Sequence, residues 1–386
     1  MSQTAVEASS NAAATGAVRA ARRRASPRIV GIGTAVPANR WRQQDLAAVQ
    51  GDLWRLRGAE LDRWRRLVER SGVEHRAIVD DPHDLPGLST ARRMDRFEAH
   101  APGLAADAAA RALAAAGVDG AAVTDLVVAT CTGFSAPGIG ASLIGGRVGL
   151  RREVRPLQLG FMGCFGGVAA LRAARAIAGD DPEAVVLGLC VELCSLHLRA
   201  SVEPQNLVAS ALFADGAAAV VVRGGAESGE GRGLALGRGR SASLPEHREE
   251  MTWRITDEGF AMTLSREVPV AIRRSLGGFL AARRPRPRTI LPHPGGPGIL
   301  DAVASAIEGS PLAGSLDPRG IELARGVLRD HGNMSSATIL FVLERALAAG
   351  VQMPAELVAF GPGLMIDAIL AGDAGRGARA TRTIER

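Results

Sequence analysis

An apolar run, Leu157–Phe161, reaches a cysteine flanked by glycines, Gly163-Cys164-Phe-Gly-Gly167, and passes at once into the Ala-rich pattern Val168-Ala-Ala-Leu-Arg-Ala-Ala-Arg175. A strand that becomes a helix within so few residues needs a sharp turn and close backbone approach, which the glycines permit. The turn leaves Cys164 at a helix start, where unpaired N–H groups and the positive end of the helix dipole favour thiolate over thiol. Taken alone, the segment has two readings: a nucleophile, or a buried inert cysteine in a small-residue packing site.

The same alternation runs along the chain. Order is expected from Arg28-Ile-Val-Gly-Ile-Gly-Thr-Ala-Val-Pro37. Apolar periodicity then predicts helices at Ala105–Ala116, Phe165–Ala178, Val268–Ala282, Ile299–Ile307 and Ser335–Ala349, and strands at Leu126–Thr132, Ala184–Cys190, Ala217–Val222, Thr289–Pro292 and Leu357–Phe360. This is an α/β chain in two similar halves, residues 28–224 and 225–372, divided at a polar, Gly-rich stretch. The second half also has a polar residue just ahead of a buried helix, Asn333 in His331-Gly-Asn-Met-Ser-Ser-Ala337. Asn333 stands where Cys164 stands in the first half, which suggests a duplication with two helices meeting at a shared site.

Composition narrows the function. A chain of 386 residues with 47% hydrophobic content supports a large core. No run reaches the roughly 18 apolar residues of a membrane span and no secretory signal opens the chain, so a cytoplasmic location is expected. Four cysteines in such a length do not make a disulfide framework. The chain has neither Tyr nor Lys, and all 46 basic residues are Arg. Residues 1–28 and 373–386 carry the whole net charge of +6, so the body is neutral and lacks the aromatic-rich basic stripe of a nucleic-acid binder. Residues 1–27, Ala/Ser/Arg-rich, read as a disordered extension with some transit-peptide character, and 373–386 as a disordered basic tail.

A nucleophilic cysteine needs a basic or cationic partner. His75, His83, His100 and His247 lie in charged, solvated surroundings, and His331 accompanies the turn before Asn333. His293, in Pro292-His-Pro-Gly-Gly-Pro-Gly-Ile299, lies between a strand and a helix on a backbone fixed by proline and glycine. Together Gly163-Cys164-Phe-Gly-Gly, His293-Pro-Gly-Gly, Gly332-Asn333-Met-Ser-Ser-Ala and Phe360-Gly-Pro-Gly363, supported by Ala211-Leu-Phe-Ala-Asp-Gly-Ala-Ala-Ala219, resemble the type III polyketide synthases, the chalcone-synthase-like branch of the thiolase superfamily. The resemblance runs from about residue 28 to residue 372. It implies a thiolase-like duplicated αβαβα fold and a homodimer.

The resemblance also implies roles. Cys164 holds an acyl group, His293 stabilises its thiolate as an ion pair, and His293 with Asn333 supplies donors to an enolate formed from malonyl-CoA. Acyl-CoA and malonyl-CoA are then substrates, with no separate cofactor, no metal and no nucleic-acid partner. Phe213 matches an aromatic gatekeeper whose partner falls at Met262, where plant members usually carry Phe. Arg63, Arg66 and Arg70, at helical spacing, match CoA-phosphate contacts, and a solvated helix face is the alternative for each. Cys131, Thr132, Cys194, His197 and the turn Gly361-Pro362-Gly363 match positions at the cavity. Ala136 replaces a methionine that in plant members reaches the neighbouring subunit.

Cys190-Val-Glu-Leu-Cys194-Ser-Leu-His197 lacks standard zinc spacing. It resembles instead the microbial branch that extends medium or long fatty acyl starters to alkylpyrones or alkylresorcinols. Two competing readings remain. An initiating 3-oxoacyl-[acyl carrier protein] synthase also uses Cys, His and Asn, but typically with His-Gln-Ala-Asn and Asn-Thr-Ser where this chain has His293-Pro-Gly-Gly and Asn333-Met-Ser. A non-enzymatic anion binder would rest on the basic termini alone.

Overall fold

The computed structural model describes residues 26–224 and 233–372. The expected basic tail lies outside the described residues, as do residues 1–25 of the extension and the link 225–232. The N-terminal half contributes β1 (Arg28–Ala35), β2 (Arg40–Arg42), β3 (His75–Ala77), β4 (Asp125–Ala129), β5 (Arg155–Leu159), β6 (Val185–Leu193) and β7 (Asp215–Arg223). The C-terminal half contributes β8 (Leu234–Ser243), β9 (Met251–Thr256), β10 (Gly259–Leu264), β11 (Thr289–Pro292), β12 (Ala355–Gly361) and β13 (Met365–Ala371). Nine of these form one mixed sheet in the order β11-β12-β13-β8-β1-β7-β6-β4-β5. The halves join through β1 and β8 at only two positions, Arg28↔Ala235 and Ile29↔Leu234.

The helices are α1 (Gln43–Leu53), α2 (Gly58–Glu69), α3 (Thr90–Ala116), α4 (Ile139–Leu143), α5 (Gly166–Asp180), α6 (Pro204–Leu212), α7 (Glu267–Ala281), α8 (Pro297–Glu308), α9 (Arg319–His331) and α10 (Thr338–Ala348). Five layers result. Ala105, Ala108 and Ala112 of α3 pack with Leu126, Leu187 and Val221 on one face of the first half-sheet. Its other face, with Val127, Val186 and Val220, shares a core with Leu171 and Ala174 of α5, Ile339 and Val342 of α10, and Leu357 and Ile369 of the second half-sheet. Beyond that sheet, Val358 and Ile366 pack on Ile272 of α7 and Val303 of α8. This is the layered thiolase-like arrangement. Strands covered on both faces read as continuous apolar runs rather than alternating ones, which is why β4, β6 and β12 are buried throughout.

Several boundaries differ from the sequence expectations, four of them at or near the site. Helix α3 begins at Thr90, not Ala105, because the Ser89 hydroxyl caps it by accepting from Arg92 N, and it continues through Pro102. Strand β4 stops at Ala129, where the Glu192 carboxylate replaces a strand partner by accepting from Cys131 N at 3.0 Å. The helices expected from Phe165 and Ser335 each open with a short 3₁₀ turn, Gly163–Phe165 and Ser335–Ala337. Among the described residues no helix is long and apolar enough to cross a membrane.

Candidate active site

Cys164 occupies the middle of the 3₁₀ turn that leads into α5. Gly163 before it has φ 61°, and a Cβ there would lie 2.6 Å from Pro362 Cδ, so this position requires glycine. Gly361 lies beneath the same turn, where a Cβ would come within 2.3 Å of Phe165. The segment Phe360-Gly-Pro-Gly363 thus underpins the cysteine turn. Pro362 reaches the cavity described below, whereas Gly361 and Gly363 do not line it.

The second half delivers its polar residues by the same device. Asn333 Oδ1 accepts from Ser335 N at 2.9 Å, which fixes the amide orientation and leaves Nδ2 4.0 Å from Cys164 Sγ. Ser335 takes φ 46°, a left-handed value that costs a non-glycine residue strain. The helix starts approach so closely that a Cβ on Gly167 would lie 2.3 Å from Ser336 O. Asn333 is also stitched to the backbone on either side of Phe213: its N donates to Leu212 O and its O accepts from Ala214 N. His293 continues the parallel pairing of β11 with β12, its N donating to Val358 O at 2.8 Å.

Cys164, His293 and Asn333 converge on one cavity of about 350 Å³. Its walls include Cys131, Thr132, Cys194, His197, Phe213 and Met262, all singled out in the sequence. Arg63, Arg66 and Arg70 are exposed on or at the end of α2, and none lines the cavity. The one cation among the described lining residues is instead Arg266, exposed ahead of α7, whose signal was an arginine at a helix start. Cys190 is buried in the central core, apart from Cys194 and His197 at the cavity, and no cluster of metal-ligating groups occurs among the described residues.

Sequence reasoning also missed Glu192, Trp253 and Phe260. Glu192, fully buried, accepts from Thr132 Oγ1 at 2.7 Å and from the Ser336 hydroxyl, and so ties the halves together behind the cysteine. Burial raises its pKa against these donors. Trp253 and Phe260 lie on β9 and β10, whose alternating pattern in Gly259-Phe-Ala-Met-Thr-Leu264 was the available signal.

Both ring nitrogens of His293 are buried with no hydrogen-bond partner among the described residues, and burial drives its pKa down to about 3. Burial pushes the Cys164 thiol up to about 11, opposed by hydrogen bonds from Ser335 and Asn333 and reinforced by the Glu192 charge. Each shift favours the neutral form. The imidazole has no other occupation among the described residues, and an unpaired polar group this deep costs on the order of 1–3 kcal/mol.

A thiol, an imidazole and a fixed amide donor in one apolar cavity can form, hold and extend a thioester. Residues 15–227 match the N-terminal domain of the chalcone and stilbene synthases, and residues 237–373 match the C-terminal domain. The chain belongs to the chalcone and stilbene synthase family. It is an acyltransferase of that type, a type III polyketide synthase. It is 35% identical over 359 residues to a 1,3,6,8-tetrahydroxynaphthalene synthase of Streptomyces peucetius subsp. caesius, covering 89% of this chain and 92% of the relative. It is 30% identical over 391 residues to bisdemethoxycurcumin synthase of Oryza sativa subsp. japonica, covering 89% and 91%. The type III polyketide synthase domain of Steely1 from Dictyostelium superposes with a TM-score of 0.81 at 26% identity, over 91% of this chain and all of that one. The brown-algal PKS-I of Ectocarpus siliculosus gives 0.81 at 27%, over 92% and 100%.

Proposed function

We propose that this synthase condenses malonyl-CoA units onto an acyl-CoA starter held on Cys164. The observation that carries the reading is the unpartnered His293 imidazole facing the same cavity as the Cys164 thiol and the Asn333 amide. His293 takes the thiol proton, and the thiolate–imidazolium pair attacks the starter thioester. A C–S bond forms at Cys164, the bond to CoA breaks, and the departing thiolate of CoA takes the proton back. Malonyl-CoA then loses CO₂, and the electron pair of the broken bond passes to the thioester oxygen as an enolate. The His293 ring N–H and Asn333 Nδ2 are the donors for that oxygen. The enolate carbon attacks the Cys164 thioester and releases the thiolate, leaving a chain two carbons longer on CoA for return to Cys164. This chemistry requires no cofactor beyond the CoA of the substrates.

The lining of Leu212, Val208, Met251, Met262 and Leu264 supports an apolar starter, and methionines adapt to chains of different shape. The proposed starter is a medium or long fatty acyl group, with closure to an alkylpyrone or alkylresorcinol. Arg266, on the solvent side, is the proposed contact for CoA phosphates, with Arg63, Arg66 and Arg70 as further candidates on the outer surface. Phe213 and Met262 flank the proposed passage from CoA to cavity. A homodimer is proposed on the exposed edge of β5 and on Leu157 and Phe161, which are 42% and 60% exposed.

The test incubates the protein with malonyl-CoA and C6–C18 acyl-CoA starters and identifies products by mass spectrometry. Alkylpyrones or alkylresorcinols support the full reading. Products from malonyl-CoA alone retain the condensing enzyme and refute the fatty starter. Absence of decarboxylation with every starter overturns both.

A further inference from the structure

The cavity wall at His197 and Phe260 is assembled from two separate segments. The His197 ring, from the turn Cys194–His197, stacks on Phe260 of β10 with centroids 3.6 Å apart and planes 10° from parallel. Trp253 of β9 stacks on Phe260 in turn, with centroids 4.8 Å apart. His197 Nε2 hydrogen-bonds Thr132 O at 2.7 Å, which ties the stack to the region beside Cys131. Nothing in the chain order brings the turn and the hairpin together.

The first turn of α3 touches both. Thr90 holds the β9–β10 hairpin: its N donates to Asp257 O at 2.7 Å, its hydroxyl donates to Thr256 O, and that hydroxyl accepts from Gly259 N at 2.7 Å. Arg93, 2% exposed, holds the turn: its guanidinium donates to Leu196 O and Leu198 O on one side and to Leu85 O and Leu88 O on the other. The two clamps share a helix face, three residues apart. The hairpin turn also rests on Arg93, since a Cβ on Gly259 would lie 3.2 Å from Arg93 Nε. Neither side chain lines the cavity.

We propose that Thr90 and Arg93 are positioning residues for starter selection, setting the separation and tilt of the His197–Phe260 wall from behind. Arg93 saturates four carbonyls, so it spends its donors on backbone geometry. Thr90 acts on the opposite partner of the stack. Displacement of either by a fraction of an ångström changes the width of the cavity beside Thr132 without touching Cys164, His293 or Asn333.

The inference rests on the condensing function proposed above, and its test keeps the two apart. Thr90→Val keeps the shape and removes the hydroxyl, Thr90→Ser restores it, and Arg93→Lys keeps the charge without the fork. For each protein, kcat and KM are measured over C6–C18 acyl-CoA starters, together with malonyl-CoA decarboxylation and the unfolding temperature. Thr90→Val and Arg93→Lys are expected to change the ratio of kcat/KM between the longest and shortest accepted starters by about fivefold or more, with a smaller change in decarboxylation. Thr90→Ser is expected to retain the wild-type ratio. A Thr90→Val protein that melts lower yet keeps the wild-type ratio makes the clamp a structural prop and overturns the proposal. A wild-type protein that never decarboxylates malonyl-CoA overturns the condensing function instead.

Discussion

The two helix starts that meet at the cavity use one backbone device for different chemistry. In the first half the left-handed position is filled by Gly163, which has no Cβ to clash, and the turn presents a thiol. In the second half the left-handed position is Ser335, a strained residue that Asn333 Oδ1 holds by its N–H. The turn at Cys164 is relaxed by composition and the turn at Asn333 is held by a hydrogen bond. In the mechanism proposed above the two halves divide the work: one half carries the acyl group, the other fixes the donors.

The division can be broken first at the thiol. Cys164→Ala is expected to lower product formation by about a thousandfold or more while decarboxylation of malonyl-CoA persists, since the donors remain. Loss of both activities together would show that the halves do not act separately. Asn333→Ala is expected to cut decarboxylation by about 100- to 1000-fold, the scale of one lost oxyanion donor, while iodoacetamide still labels Cys164.

Stability sharpens the same contrast. Gly163→Ala places a Cβ against Pro362 at positive φ and is expected to cost about 1–3 kcal/mol in urea unfolding. Ser335→Gly removes strain and a side-chain contact together, so its expected change is under about 1 kcal/mol. A larger loss from Ser335→Gly than from Gly163→Ala would reverse the assignment of relaxed and held turns.

The contrast extends to pH. Burial holds His293 near 3 and His197 and His331 near 4 in the fold, whereas unfolded histidines titrate near 6.5. Between those values the unfolded chain binds more protons than the native one, so stability present above pH 6.5 is lost as pH falls towards 4. Each fully neutral buried imidazole contributes up to about 1.4 kcal/mol per pH unit to that slope. His293→Gln is expected to flatten the decline measured by urea midpoints from pH 7 to 5. An unchanged slope would mean that His293 already carries its proton at rest.

Local sequence was informative where function and fold demanded unusual residues at short range. The glycines beside Cys164, the prolines around His293 and the polar break before α10 marked the three segments of the site. It was less informative where a contact spans the chain. Thr90 meets Gly259, Arg93 meets Leu196, and Glu192 meets Ser336 through tertiary packing that no periodicity encodes. The helical start at Thr90 was hidden because Thr90–His100 is largely polar, and Pro102 suggested a break. The cationic lining residue was hidden because Arg266 is one arginine among 46 basic residues, and its place at a helix start was the one weak local signal.

The contact at Gly167 has a consequence for how such a catalyst can diversify. With no side chain between the Gly167 and Ser336 backbones, the thiol-bearing and amide-bearing helices form a fixed gauge. Substitutions at Met262, His197 or Trp253 can reshape the mould around a growing chain while that gauge stays set. New products can therefore arise by changing the mould, with the bond-forming tool left intact.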